Sequence, residues 1–400
     1  MEHVAIVGAS LAGLTAAEAL REAGFGGVVT VVDAASEVPA DRPPLSKQVL
    51  AGTMEPERAV HPVASRLAQL DVDLRLGLRA RSLSVPGRRV AFDDGSELSA
   101  DGLVLATGAS PRRLDTPLGG CHVLRDLADC LAIRADLAAG ARRVVVIGAG
   151  FIGAEVAATC RGLGLDVTMV ETQPWPLQRV LPGEIGRFIA ELHADEGVDV
   201  RLGVGVDRLE GATRVERVVL TDGTSIDADI VIAGIGVTPS IGWLEGSGLD
   251  LSNGIVCDAA CFAAQGIVAA GDVACWPNGA FDGELMRVEQ WENAIEQGEH
   301  AARQLLAVAA GGDAVPFTPI PWFWSDQYDR KIQLAGRVAA TDTVTVVDGS
   351  VAERRFVALF GRGDRCTAVL GVNRPRHVVQ LRMAMADGPL ALDDAIARFR

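Results

Sequence analysis

Two short runs of small residues carry chemistry in this chain. The first is Gly8-Ala9-Ser10-Leu11-Ala12-Gly13 and the second is Gly148-Ala149-Gly150-Phe151-Ile152-Gly153. Each follows an apolar run, Val4-Ala5-Ile6-Val7 or Val144-Val145-Val146-Ile147, and leads into an alanine-rich stretch. A strand that turns sharply into a helix leaves the first helical N–H groups and the positive end of the dipole facing a bound pyrophosphate. Downstream of each loop a second apolar run ends in an acid, Asp33 in one case and Glu171 in the other. A carboxylate about 20 residues beyond the loop can accept hydrogen bonds from a ribose hydroxyl. One such loop is weak evidence, but two loops with matching acids point to a protein that holds two dinucleotides. Ser10 stands where the second glycine of the first fingerprint belongs; its side chain is small enough for a phosphate to approach.

Such loops need parallel sheets to hold them. A chain of 400 residues suggests two or three domains. A hydrophobic content of 49% with 45 glycines suits a large α/β protein with many tight turns. Helices are expected over Leu14–Ala23 and from Val288-Glu289-Gln290-Trp291 to Leu306, where Ala294, Gly298 and Ala302 permit close packing. Three further strands run into small residues: Leu103–Leu105 into Ala106-Thr107-Gly108, Ile230-Val231-Ile232 into Ala233-Gly234-Ile235-Gly236, and Ile267–Ala270 into Gly271-Asp272. Ligands of open α/β sheets bind at those strand ends. Pro111 and Pro117 mark a crossover, and Gly311–Pro316 reads as a linker to a tail of alternating strands in which Trp322 and Trp324 read as core.

A net charge of −15 argues against nucleic acid as the main partner. The charge is uneven, +3 over residues 316–400 and −18 over the rest. That contrast is either compositional chance or a docking face for an acidic partner. The seven cysteines include no C-x-x-C, so there is no sequence signature of a thiol relay, a metal site or an iron–sulfur cluster. Reduced thiols in a cytoplasmic protein are expected, with no metal, signal peptide or membrane span.

Together with the two loops, Ala106-Thr107-Gly108 and Gly271-Asp272, the segments Arg42-Pro43-Pro44-Leu45-Ser46-Lys47 and Trp322-Phe323-Trp324-Ser325-Asp326-Gln327 resemble the NADH-dependent ferredoxin reductases. These are flavoproteins of the putidaredoxin reductase and biphenyl-dioxygenase reductase type, within the wider group that includes glutathione reductase. The resemblance implies an α/β fold with two Rossmann-like dinucleotide-binding domains, glutathione-reductase-like, plus a C-terminal α+β domain. It implies FAD-binding segments at 1–110 and 237–315, an NAD-binding domain at 111–236 and a C-terminal domain at 316–400. Gly8, Ser10, Ala12 and Gly13 would hold the FAD pyrophosphate and Asp33 its ribose. Arg42, Lys47 and Arg125 would contact FAD, and Asp272 its ribityl and phosphate region. Glu289 and Trp291 would lie by the isoalloxazine or nicotinamide. Gly148, Gly150, Ile152 and Gly153 would hold the NADH pyrophosphate and Glu171 its ribose. Ala80, Thr107, Gly108, Gly236, Gly271 and Trp322 would complete the cofactor contacts. Lys47, Glu155 and Trp291 are the implied catalytic residues. Lys47 would stabilise the charge of reduced flavin, and Glu155, in the first turn of its helix, would hold Lys47 and help place nicotinamide.

Thr172 and Gln173 follow Glu171, and no arginine appears before Arg179. A carboxylate repels a 2′-phosphate, so NADH is expected over NADPH. The resemblance implies an FAD-dependent NADH:ferredoxin oxidoreductase. It would feed a small, acidic 2Fe–2S ferredoxin that serves a monooxygenase or a Rieske-type dioxygenase. Arg354, Arg355, Arg374, Arg376 and Arg382 are candidates for steering that partner. Other acceptors remain open, namely rubredoxin, a quinone, monodehydroascorbate or oxygen. So does a non-enzymatic reading, in which NADH binding is a conformational signal, as in the apoptosis-inducing flavoproteins.

Overall fold

The computed structural model describes residues 1–178, 180–181 and 183–400; Arg179 therefore lies outside the described residues. The chain forms two compact units, each assembled from separated segments. The first comprises Met1–Asp41, Val60–Ser110 and Thr238–Pro321, and the second Arg42–Ala59, Pro111–Val237 and Trp322–Arg400.

The first unit is built on a six-stranded sheet in the order Phe262–Ala264, Ile267–Ala269, Gly102–Leu105, His3–Val7, Val28–Val32, Asp73–Arg75. All neighbours run parallel except the first pair. The central strands are apolar on both faces, as strands of a covered parallel sheet are. Val4, Ala5, Ile6, Leu103 and Val104 are fully buried. The fingerprint helix spans Leu11–Glu22 and begins three residues before the expected Leu14, so Ala12 and Gly13 lie in its first turn. It packs against the long helix Trp291–Ala309. Gly298 makes this close approach possible, because a Cβ there would meet the Ala12 carbonyl oxygen at 2.4 Å. The long helix starts at Trp291, later than expected. Gln290 is extended, with φ −130° and ψ 145°, which leaves Glu289 outside the helix.

The second unit repeats the plan. Its sheet runs Asp199–Leu202, Asp166–Glu171, Arg143–Ile147, Ile230–Ala233, Cys121–His122, all parallel. A second, antiparallel sheet in the same unit follows the order Trp322–Gln327, Arg330–Gly336, Arg365–Val372, Arg355–Arg362, Thr343–Ser350. The helix Gly183–Asp195 joins the two sheets: its Ile185, Phe188, Ile189 and Leu192 share one core with Phe323, Ile332, Leu334, Phe356 and Phe360.

The tail departs from expectation in two respects. Strand alternation turns Phe323, Ser325 and Gln327 inward and leaves Trp322 and Trp324 half-buried on the other face, so the tryptophans are not core. Their ring centroids lie 5.3 Å apart, and the Arg382 guanidinium sits over the Trp322 ring. The arginines are also less available than their count suggests. Arg354 pairs with Glu191 and Asp195, and Arg374 with Asp348, so both arginine charges are offset at short range.

Candidate functional site

Each unit carries a complete nucleotide-loop geometry. In the first, the strand His3–Val7 ends at Gly8, whose φ is +113°; a Cβ there would meet the Ala106 carbonyl oxygen at 2.2 Å. In the second, Gly148 has φ +97°, and a Cβ would meet the Gly234 carbonyl oxygen at 2.4 Å. Both positions therefore demand glycine twice over, for conformation and for space. The small residues expected at neighbouring strand ends, Ala106 and Gly234, are what the loops press against.

The second fingerprint position explains why serine is tolerated. Ser10 has φ −89° and ψ −166°, and Gly150 has φ −74° and ψ −176°, ordinary extended conformations that any residue adopts. Both residues are helix N-caps, and neither helix receives a side-chain cap. The first N–H groups of Leu11–Glu22 and Phe151–Gly162 are thus left to other acceptors, as an anion site requires. Ile152, in the first turn of the second helix, is 45% exposed, an apolar surface that a bound dinucleotide would cover.

The acids are tied to their loops in the same way in both units. The Ala9 N–H donates to Asp33 Oδ2 at 2.6 Å, and the Ala149 N–H donates to Glu171 Oε2 at 2.8 Å. Each carboxylate is held at the end of its strand while keeping lone pairs for a ribose. The residues present therefore fit two bound dinucleotides.

Around the first loop, Gly271 reaches the fingerprint helix closely, since a Cβ there would meet Ala12 Cβ at 2.9 Å. Its N–H is held by Gln297 Oε1 at 2.9 Å, and Asp272 follows it. Arg287 donates to the Asp272 carbonyl and pairs with Glu289. The Trp291 indole N–H donates to Asp41 Oδ1 at 2.8 Å. Thr107 donates through Oγ1 to the Ser240 carbonyl, and the Gly108 carbonyl accepts the Ser240 N–H. Ala80 opens the strand Ala80–Ser84 of a small antiparallel sheet, two residues beyond Leu78, whose N–H donates to the Asp33 carbonyl.

In the second unit, Lys47 and Glu155 meet. Lys47 Nζ lies 2.9 Å from Glu155 Oε2, with the two side chains 12% and 6% exposed. Glu155 is the fifth residue of Phe151–Gly162, just beyond the expected first turn, because the helix already starts inside the fingerprint. The segment Arg42–Ala59 delivers Lys47 through tight turns, with the Lys47 N–H held by the Pro44 carbonyl. Thr159, further along the same helix, donates to the Ser46 carbonyl at 2.7 Å. Arg42 and Arg125 belong to this unit, as do Gly236 and Trp322. The Arg125 N–H donates to Asp129, and Gly236 accepts the Arg112 N–H.

Three residues with no assigned role surround this pair. Ser46 Oγ donates to Glu155 Oε2, and Ser325 Oγ donates to Glu155 Oε1 at 2.9 Å. Gln327 Nε2 in turn donates to Ser325 Oγ at 3.1 Å. The polar side chains alternating with Phe323 along an inward strand face are the sequence signal for the last two. A buried hydroxyl or amide is costly unless it is hydrogen-bonded.

Among the described residues no cluster of three or more His, Cys, Asp and Glu side chains is arranged for a metal ion, and no helix is long and apolar enough to cross a membrane. All seven cysteines are free.

Comparison with known proteins agrees with this geometry. The family model described as pyridine nucleotide-disulphide oxidoreductase matches residues 2–298, and the one described as reductase C-terminal matches residues 322–398. The ferredoxin–NAD(+) reductase component of the anthranilate 1,2-dioxygenase system of Burkholderia cepacia is 38% identical, with 96% of this chain and 94% of that protein covered. Rhodocoxin reductase of Rhodococcus erythropolis is 38% identical, with 98% and 91% covered. A crystal structure of a covalent putidaredoxin reductase–putidaredoxin complex matches with a TM-score of 0.90 at 35% identity, covering 96% of this chain and 93% of that one.

Proposed function

The chain belongs to the pyridine nucleotide-disulphide oxidoreductase family, and on that premise we propose that it passes electrons from NADH through FAD to a small, acidic 2Fe–2S ferredoxin that serves an oxygenase. The observation that carries this reading is the paired loop geometry: two uncapped helix N-termini, each with an acid hooked to its loop. The relatives support the acceptor. One is a component of a dioxygenase system, and the matched structure is a reductase joined to putidaredoxin.

When bound, FAD would supply hydride acceptance from nicotinamide and release of single electrons, chemistry that belongs to the cofactor. The protein's part is to bind, orient and supply charge. Gly8, Ser10, Ala12, Gly13 and Asp33 of the first unit hold FAD, joined by Gly271 and Asp272. Gly148, Gly150, Ile152, Gly153 and Glu171 of the second hold NADH. Glu171 selects NADH because its carboxylate accepts from a 2′-hydroxyl and repels a 2′-phosphate. Lys47 provides positive charge for the reduced state, and Glu155 fixes the direction in which Lys47 points. Ordinary reduced thiols and the use of NADH suit a cytoplasmic location.

Steady-state NADH oxidation with a purified 2Fe–2S ferredoxin, followed by bleaching of the ferredoxin's visible absorbance, tests the reading. Rapid, ferredoxin-saturable turnover is expected. NADH that reduces the flavin without onward transfer to any 2Fe–2S ferredoxin of the same genome would overturn it.

A further inference from the structure

The polar chain that starts at Glu155 does not stop at Gln327. His193, on the helix Gly183–Asp195, places Nε2 3.1 Å from Gln327 Oε1 and Nδ1 2.8 Å from the Tyr328 hydroxyl. Ser325, Gln327 and His193 are fully buried, in a core otherwise made of Phe188, Phe323, Phe356 and similar side chains. Five hydrogen-bonding side chains thus run unbroken through an apolar interior, from a turn bearing Tyr328 to the carboxylate that holds Lys47.

The direction of each hydrogen bond follows from its neighbours. Glu155 accepts from Lys47 Nζ, Ser46 Oγ and Ser325 Oγ. Since the Ser325 proton goes to Glu155, its oxygen accepts from Gln327 Nε2. The Gln327 amide oxygen then faces His193 and cannot donate, so the His193 proton resides on Nε2. Nδ1 is left bare and takes the Tyr328 O–H. Burial keeps the ring neutral, pushing the His193 pKa down to about 4 against the weaker opposing effect of Gln327. Every donor points toward Glu155, and bonds aligned in this way polarise and strengthen one another.

We propose that Ser325, Gln327, His193 and Tyr328 are positioning residues: a one-directional hydrogen-bond chain that fixes the Glu155 carboxylate and, through it, the Lys47 ammonium group. This rests on the role given above to Lys47 and Glu155. The chain holds the carboxylate and does not conduct protons, because an amide cannot pass a proton from oxygen to nitrogen without leaving its stable tautomer. Such fixing matters because a charge that must act at one atom loses its effect when it wanders.

The experiment has two readouts on the FAD-loaded enzyme. In stopped-flow reduction by NADH, Ser325→Ala is expected to slow flavin bleaching about tenfold, the scale of one lost hydrogen bond to a buried charge. Tyr328→Phe, at the remote and partly exposed end, is expected to slow it about twofold and to leave the fold intact. In a Glu155→Gln background neither change is expected to slow the reaction further, because residues acting through one group are not additive. Independently, ¹⁵N NMR of labelled histidine should show His193 protonated at Nε2 and bare at Nδ1, with its signals displaced in Glu155→Gln. Slowing by Ser325→Ala that multiplies with that of Glu155→Gln, or an Nδ1–H tautomer, would overturn the proposal. Glu155→Gln that reduces flavin at the wild-type rate would instead strike the underlying role of Glu155, even where the NMR signature holds.

Discussion

Removing the Lys47 charge should destabilise the second unit more than removing the Lys47–Glu155 pair altogether. Glu155 is 4% exposed and accepts from one ammonium and two hydroxyl groups. Lys47→Met keeps the volume and leaves the carboxylate buried with hydroxyl donors alone. Breaking a buried ion pair on one side costs about 3–5 kcal/mol. The two remaining hydrogen bonds offset part of that, so a loss of about 2–4 kcal/mol is expected. The double change Lys47→Met/Glu155→Leu leaves no buried charge. Its residual cost is that of two hydroxyl groups losing their acceptor, about 1 kcal/mol each. For a unit of this size a kilocalorie moves the melting midpoint by roughly 2–4 °C, so Lys47→Met should lower it by about 5–15 °C and the double variant by about 4–8 °C. Differential scanning calorimetry of the FAD-loaded protein reads both. A double variant no more stable than Lys47→Met, or Lys47→Met within a degree of wild type, would refute the idea that the pair is electrostatically matched.

Gly148→Ala forces a Cβ to 2.4 Å from the Gly234 carbonyl oxygen at φ +97°, so NADH binding should weaken at least about 100-fold while FAD content stays normal, as titration calorimetry with NAD⁺ would show. Ser10→Gly, at an ordinary extended conformation, should change FAD affinity less than about threefold, measured by flavin fluorescence on dilution. Glu171→Gln keeps an oxygen for the Ala149 N–H but loses its charge, so the ratio of kcat/KM for NADH over NADPH should fall about tenfold. The His193 pKa is depressed from 6.5 to about 4 in the fold, so the unfolded chain binds the extra proton between those values. Its contribution to stability is therefore complete above pH 6.5 and is lost as pH falls toward 4, by about 1.4 kcal/mol per pH unit. Urea midpoints should drop over that window, and His193→Gln should flatten the drop.

Much of the candidate site was legible because its signals are local. Gly8 and Gly148 are fixed by backbone conformation, and Asp33 and Glu171 by the length of one strand–helix–strand unit. The errors lay where local pattern meets tertiary packing. Helix starts moved because the last fingerprint residues are helical in both loops and Gln290 is extended before Trp291. Trp322 and Trp324 read as core by bulk, but alternation on a strand whose Phe323 faces the core turned them outward. The charge of the tail left chance and a docking face both open, and pairing is a matter of packing: Arg354 and Arg374 meet acids of their own unit.

The sequence by itself determined that two glycine loops of dinucleotide-binding type exist and which acid ends the strand beside each. These follow from short-range sterics and from a helix dipole that any such turn creates. Only the tertiary structure decided what surrounds Glu155. Lys47 comes from 108 residues before it and Ser325 from 170 after it, and His193 meets Gln327 across 134 residues. Buried polar groups at such separations find partners only when two sheets and the helix between them close on one core. No local preference encodes that closure, because the cost of an unpaired buried donor is not incurred until water has been excluded.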